Sequence, residues 1–351
     1  MVGPIATPRM AYVDVVIAAD AAVGQHAGAL VVGDQRFAIE LTVEPVTLPA
    51  LDAAPWVWAY YDPRELRRVA AANYDDVALA HERRYAELFR SYGVIASPEL
   101  TAESWSDRRA LVAGLRFVPV LLPRDRAEVT AEVAGWIERT AGAGVVPFAI
   151  PIDEPRTAEA QARVREVSAW VRAAGGGPGR FLYAVTHAPA AALGDAIDVY
   201  VAPDAVRAGV PAPAQAWTYN GAPGWAGAMV VDAAGDGTLR SWGWLGFAYD
   251  LPLWYVWDAL YWRDRYNRGR DQAPAHDLVD EPITFDDGED HGALDGVLAY
   301  PGPLPSLRLA QLRRGLTDRL LLEALAARAG RPAALALVRE VVPATGRPRW
   351  P

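Results

Sequence analysis

The chain of 351 residues contains no cysteine. Disulfides, thiolate metal sites and a cysteine nucleophile are therefore excluded. It also lacks an uninterrupted apolar run of about 18 residues, so we predict no membrane span. No basic segment followed by an apolar segment opens the chain, which predicts no signal peptide and leaves the cytoplasm as the default compartment.

Positive charge is in the minority, with 34 Lys and Arg against 43 Asp and Glu and a net charge of −9. A nucleic-acid partner is disfavoured, because phosphate binding requires a basic surface and no long basic cluster is present. Tryptophan is abundant, with 13 residues. Indole rings stack on sugar faces but also fill large cores, so this number favours a carbohydrate partner without establishing one.

Residues 1–50 are predicted to form a β-rich N-terminal segment. Tyr12–Ile17 has the composition of a strand, and Ala27–Val32 and Arg36–Val43 flank a Gly33-Asp34 turn, which indicates a hairpin. Three strands are too few for a stable independent domain. We therefore predict a partial β-sandwich that packs either on the rest of the chain or on a second copy of it. The second arrangement would make the protein a homo-oligomer.

Residues 51–351 alternate short apolar runs with amphipathic helical stretches. Eight such runs predict a parallel sheet closed into a (β/α)8 TIM-like barrel, followed by C-terminal helices. A doubly wound sheet is the alternative, but no G-x-G-x-x-G sequence opens a helix. The eight predicted strands are Trp56–Tyr61, Val94–Ala96, Phe117–Leu122, Val146–Ile152, Phe181–Thr186, Val199–Ala202, Gln215–Tyr219 and Trp254–Leu260.

The fourth predicted strand ends in two adjacent carboxylates, Asp153 and Glu154, followed by Pro155. Functional groups of a barrel lie where its strands end, and two neighbouring acids repel each other unless the site needs them. The pair suits one general acid/base and one group that orients the substrate, rather than two acids facing each other across a bond. The alternative is a plain turn in which Asp153 or Thr157 caps the next helix.

Other strand ends carry polar or aromatic side chains that could contact a sugar. The candidates are Tyr60, His187, Trp217, Tyr219, Trp257 and Asp258. A histidine at such a position is more often a hydrogen-bonded structural residue, and tryptophans are often core residues. The acidic stretch 286–291 lacks the spacing of a calcium loop, so it is interpreted as a solvated loop and no metal site is predicted.

Several ordered motifs resemble the catalytic domain of glycoside hydrolase family 123, also called domain-of-unknown-function family 4091. They are D-E-P at 153–155, W-x-Y at 217–219, R-x-W at 240–242, and a serine, arginine, glycine and aspartate series from Ser306 to Asp318. The segment 13–49 is similar to the end of that family's N-terminal β-sandwich. The resemblance covers roughly residues 11–325.

This resemblance implies a retaining β-N-acetylgalactosaminidase or hexosaminidase that uses the substrate's acetamido oxygen as nucleophile, acts on N-acetylated amino sugar glycans and needs no cofactor. By the same resemblance, Glu154 would be the general acid/base, Asp153 would hold the acetamido N–H, and Tyr219 would contact the acetamido oxygen. Leu260 stands where the family usually has asparagine, so one polar sugar contact would be missing. A non-catalytic glycan-binding barrel and a structural or assembly domain are the alternatives.

Overall fold

The computed structural model describes residues 13, 15–18, 20–53, 55–69, 78–220, 238–262 and 296–342. The chain divides into two compact units, residues 1–49 and 50–351.

The first unit contains an antiparallel hairpin of β1 (Gly24–Val32) and β2 (Gln35–Val43). Gly33 turns the chain with a φ of 62°, a left-handed conformation that glycine adopts without strain. The predicted hairpin is confirmed. The predicted strand Tyr12–Ile17 is wrong for its described residues 13 and 15–17, which form no strand, so the sandwich remnant is not supported. Association of two or more copies of the chain through this segment stays a prediction.

The second unit is built on eight parallel strands, one for each predicted run. They are β3 (Val57–Tyr60), β4 (Ile95–Ser97), β5 (Phe117–Pro119), β6 (Val146–Ala149), β7 (Leu182–Val185), β8 (Val199–Val201), β9 (Gln215–Tyr219) and β10 (Trp254–Val256). A short hairpin of β11 (Ala299–Tyr300) and β12 (Leu304–Pro305) follows.

The sheet order is β4-β3-β10-β9-β8-β7-β6-β5, so strands adjacent in the chain are neighbours and the last lies beside the first. This order differs from those of doubly wound sheets, in which the chain reverses direction across the sheet. The outer strands β4 and β5 also lie close to each other. Just after β4, the Leu100 N–H donates to the Pro119 carbonyl of β5 at 3.0 Å, and Leu100 forms a parallel bridge with Val120. The sheet is therefore curled, consistent with a TIM-like barrel.

The described helices lie mainly between the strands and after them. They are α1 (Pro63–Val69), α2 (Ala78–Ser91), α3 (Trp105–Arg108), α4 (Arg126–Arg139), α5 (Ala158–Ala173), α6 (Pro203–Ala208), α7 (Ser241–Ala248), α8 (Leu307–Ala329) and α9 (Arg331–Val341). Asp125, Thr157 and Ser306 cap α4, α5 and α8 by accepting backbone N–H groups that have no partner within the helix.

Large aromatic rings fill the interior of the sheet below the strand ends. Trp217 lies with its ring centroid 4.7 Å from that of Phe117 and 5.0 Å from that of Phe148. Trp58 stacks on Tyr255 at 4.8 Å. Packed side-chain layers of this kind are usual inside a barrel, whose functional groups lie where the strands end.

The C-terminal motifs hold helices together. Arg240 forms a bidentate ion pair with Asp318 on α8, with Nε–Oδ2 and Nη2–Oδ1 distances of 2.6 and 3.2 Å. The Trp244 Nε1–H donates to the same carboxylate at 2.7 Å. The buried Arg308 side chain donates twice to the Val297 carbonyl. Buried charges with this many hydrogen bonds fix the packing of α7 and α8.

Candidate active site

The turn after β6 places both acidic side chains of the Asp153-Glu154 pair at one strand end. Glu154 has a φ of 39°, which is uncommon for a residue other than glycine. Pro155 follows and prevents further strand pairing. Backbone strain of this kind often accompanies functional sites, which is consistent with a role for the pair beyond a simple connection.

The hydroxyl of Thr186, at the end of β7, ties the two acidic residues together. It accepts the Glu154 backbone N–H at 2.7 Å and donates to Asp153 Oδ1 at 2.5 Å. A hydroxyl can play both parts at once because it has one donor and two acceptor positions. Thr157, whose Oγ1 accepts the Ala160 N–H, is the cap of α5. The alternative, in which one of these residues caps the next helix, is therefore confirmed for Thr157. Asp153 does not cap α5, because its Oδ1 accepts the Thr186 hydroxyl.

Glu154 has two donors to its carboxylate. The Tyr219 hydroxyl donates to Oε1 at 3.0 Å and the Arg156 guanidinium donates to Oε2 at 2.5 Å. Burial, followed by the charge of Glu154 and this hydrogen bond, raises the pKa of Tyr219 well above its usual value, so its hydroxyl stays a donor at neutral pH. The side chains of Arg156 and Glu154 are 77% and 37% exposed, so their ion pair contributes little to stability.

Among the carboxyl groups of the described residues, Glu99, just after β4, has the largest resolved pKa shift. Burial and, to a lesser extent, the charge of Asp153 raise the pKa of Glu99 from 4.5 to about 7. Burial also raises the pKa of Tyr255, and the charges of Glu99 and Asp153 add to this effect. The sequence places Glu99 at a strand end, but nothing in its local pattern distinguishes it from a solvated acid.

We expect Glu99 to make the protein's stability fall as pH rises. Its folded-state pKa of about 7 exceeds the unfolded value of 4.5, so the stabilisation from proton binding is complete below pH 4.5 and is lost as pH rises through about 7. Glu99→Gln, which cannot ionise, should become more stable relative to wild type by at most about 3 kcal/mol between pH 4.5 and pH 8. Urea unfolding at both pH values measures this difference, and Glu138→Gln, on the exposed side of α4, is the matched control. A difference that does not change with pH would contradict the prediction.

The remaining predicted residues lie in two kinds of position. Tyr60 and Trp257 are partly exposed, and the Trp257 ring lies edge-on to Tyr261 with the ring centroids 5.0 Å apart. The backbone N–H of Trp257 donates to Asn220 Oδ1 at 2.8 Å, which fixes the end of β10. His187 is partly buried and its Nδ1 lies 2.5 Å from the Ala188 carbonyl oxygen, a local structural contact.

Three predicted positions are buried. Trp217 is 0% exposed and belongs to the aromatic layer, so its ring has no face open to a sugar. Asp258 is 0% exposed, and its Oδ1 accepts the Leu260 N–H at 2.8 Å, which stabilises the turn after β10. Leu260 is 0% exposed and packs in the hydrophobic core, which explains an apolar residue there. Burial favours a structural role for Trp217 and Asp258, and their role as sugar contacts stays a prediction.

Two negative findings concern only the residues that the structure describes. None of their helices is long and apolar enough to cross a membrane. In the same part of the chain, no group of three or more His, Asp or Glu side chains is arranged to hold a metal ion. The acidic stretch 286–291 lies outside the described residues.

Comparison with known proteins gives matches among solved structures. No family model matches the chain, and no curated protein matches it. A solved structure of a family 123 glycoside hydrolase from Clostridium perfringens, reported for glycolipid glycan hydrolysis, superposes with a TM-score of 0.60 and 11% sequence identity. The match covers 94% of this chain and 70% of that one. The chain therefore shares the fold of that glycoside hydrolase over nearly its whole length.

Proposed function

We propose that this protein is a glycoside hydrolase, a retaining β-N-acetylhexosaminidase of the β-N-acetylgalactosaminidase type, in which the substrate supplies the nucleophile. The observation that best supports this proposal is the separate anchoring of the two neighbouring acids. Thr186 orients Asp153, and Tyr219 holds Glu154. Two carboxylates on one strand end cannot face each other across a glycosidic bond, so a two-carboxylate mechanism does not fit them.

The first step forms a cyclic intermediate. The acetamido oxygen attacks the anomeric carbon while the bond to the leaving oxygen breaks, and Glu154 gives its proton to that oxygen. Asp153 accepts a hydrogen bond from the acetamido N–H and stabilises the positive charge that develops on the resulting oxazolinium ion. In the second step a water molecule gives a proton to Glu154 and attacks the anomeric carbon, which reopens the ring with net retention.

Tyr219 would change partner during this cycle. In the structure its hydroxyl donates to Glu154 Oε1. When Glu154 carries the proton for the leaving group, the Tyr219 hydroxyl can donate to the acetamido oxygen instead. The partly exposed rings of Tyr60 and Trp257 would provide apolar surface for the sugar. The glycan-hydrolysing activity of the similar Clostridium perfringens protein supports a glycan substrate.

A non-catalytic glycan-binding protein is the second candidate. It is favoured by the exposure of Asp153 and by the ion pair that Glu154 forms with Arg156. A binding protein would need only the fixed hydrogen-bonding groups and the aromatic surface, and not a proton donor.

A chromogenic assay distinguishes the glycoside hydrolase from the non-catalytic glycan-binding protein. Wild type should release nitrophenol from a 4-nitrophenyl N-acetyl-β-hexosaminide but not from the β-hexoside that has a hydroxyl at C2, because the latter lacks the nucleophile. Proton NMR of the first product should show the β-anomer. Equal turnover of both substrates would contradict substrate assistance, and binding of the N-acetylated sugar without turnover would establish the second candidate.

A further inference from the structure

The hairpin of the first unit has strand edges with no neighbouring strand among the described residues. Its two strands pair with each other and form a sheet of their own, in the order β1-β2. A sheet of two strands is at best marginally stable in water, and the unpaired N–H and C=O groups of a strand edge can pair with another strand. Val31, Val32 and Phe37 are also exposed, by 60%, 51% and 49%. The hairpin therefore has both the backbone groups and the apolar surface to bind a further strand.

The outer edge of β2 carries the backbone groups of alternate residues. Val32 and Gln35 lie opposite each other and flank the two-residue turn of the hairpin, so they form a hydrogen-bonded pair. Hydrogen-bonded and non-hydrogen-bonded pairs then alternate along the antiparallel ladder. Arg36, Ala38 and Glu40 occupy non-hydrogen-bonded positions, so their N–H and C=O groups point away from β1. All three residues are exposed, which leaves this edge accessible to a second strand.

The charges on this edge are complementary to those of the same edge in a second copy. If two β2 strands pair antiparallel about Ala38, Arg36 of each copy lies opposite Glu40 of the other, and this pair occurs twice because a two-fold axis relates the copies. The same register places Phe37 opposite Ile39 on the other face. Cross-strand pairs of opposite charge and of apolar side chains both stabilise a sheet. Neither Arg36 nor Glu40 forms an ion pair with another described residue, so both charges are available for this contact.

The neighbouring registers of this edge lack the same complementarity. Centring the pair on Arg36 or on Glu40 places two like charges opposite each other, which destabilises a sheet. Centring it on Phe37 places Glu40 opposite Asp34, again a like pair, and centring it on Ile39 leaves both charges opposite uncharged residues. The outer edge of β1 offers no such selection, because β1 contains no Asp, Glu, Lys or Arg. Charge therefore favours one edge and one register.

We propose that the outer edge of β2 pairs with the same edge of a second copy of this chain, antiparallel and centred on Ala38. The two hairpins then form one four-stranded sheet, which reaches the number of strands needed for independent stability. The contact is isologous, so it closes into a dimer and leaves neither β2 edge free. This inference concerns assembly and goes beyond the proposed function.

Exchange of the two charges tests the register. The dissociation constant of the dimer is measured on the full chain by analytical ultracentrifugation at low ionic strength, where charges are least screened. Arg36→Glu and Glu40→Arg each place like charges opposite each other and should raise this constant by about 10–100-fold. The double variant restores opposite charges and should return the constant to near the wild-type value. Glu138→Arg, on the exposed side of α4, changes the net charge as much as Glu40→Arg and should have no effect.

Disulfide trapping tests the same contact directly, because the chain has no cysteine of its own. Ala38→Cys should cross-link two copies on mild oxidation, since hydrogen-bonded residues opposite each other have Cα atoms about 5.5 Å apart, within the range of a disulfide. Ala27→Cys, on the exposed outer edge of β1, is the control and should remain without a cross-link. A monomeric wild type, a double variant no tighter than the single variants, or equal cross-linking at both positions would overturn the inference.

Discussion

Glu154→Gln should slow hydrolysis of an N-acetylhexosaminide with an alkyl or sugar leaving group by about 10²–10⁴-fold. The substitution keeps the hydrogen bond from Tyr219 available but removes the proton that the leaving oxygen needs. The loss in kcat should be smaller for a nitrophenyl leaving group, which departs without protonation. Comparing kcat for the two substrate types measures this difference, with Glu138→Gln as a control far from the strand ends.

Asp153→Asn is the matched variant, and it should fail with both kinds of leaving group. The amide has the shape of the carboxylate but cannot stabilise the positive charge of the oxazolinium ion. A thiazoline inhibitor should accordingly bind wild type more tightly than Asp153→Asn. Trapping a covalent sugar adduct on either acid would exclude the mechanism. Unchanged turnover in both variants would leave the pair as a turn between strand and helix.

The strand ends could be predicted from sequence because the signal is local. Apolar runs of strand length separated by amphipathic helices indicate eight βα units, and Pro155 marks where the fourth strand stops. The contacts of the site are different in kind. Thr186 lies 32 positions from Glu154, and Tyr219 lies 65 positions from it, so their hydrogen bonds depend on the sheet order.

Depth within the barrel separates predicted site residues that lie on one strand, and it also explains why Glu99 was not predicted. Trp217 and Tyr219 both lie on β9 and alternate to the same face, but only Tyr219 reaches the layer of Glu154. A strand-end pattern does not encode this difference of one layer. Glu99 was missed because its significance comes from burial and from the charge of Asp153, which the sequence around it does not reveal.

The family-like motifs separate into two groups in the structure. The D-E-P motif and Tyr219 lie at the strand ends, where chemistry can occur. The R-x-W motif and the Ser306–Asp318 series lie where α7 meets α8, and they make ion pairs, caps and close backbone contacts. The second group therefore stabilises the packing of these helices. Its presence supports a shared fold more directly than a shared enzymatic activity.

The close contact between α7 and α8 predicts the largest stability effects. A Cβ at Gly243 would lie 1.7 Å from the Gly315 carbonyl oxygen, and a Cβ at Gly315 would lie 2.3 Å from the Arg240 carbonyl oxygen. The obstacles are backbone atoms, so the helices would have to separate, which would also disturb the ion pair between Arg240 and Asp318. Gly243→Ala and Gly315→Ala should each lower the free energy of unfolding by about 3 kcal/mol or more.

Gly135 in the middle of α4 provides a matched control with the opposite sign. A Cβ there meets only the end of the flexible Arg139 side chain, at 3.8 Å. Because alanine has the higher helix propensity and restricts the unfolded chain, Gly135→Ala should raise the free energy of unfolding by about 0.5–1 kcal/mol. Urea unfolding of all three variants at one pH gives the comparison. Wild-type stability in Gly243→Ala would show that the helices do not approach as closely as described, whereas a loss in Gly135→Ala as well would indicate a general intolerance of alanine.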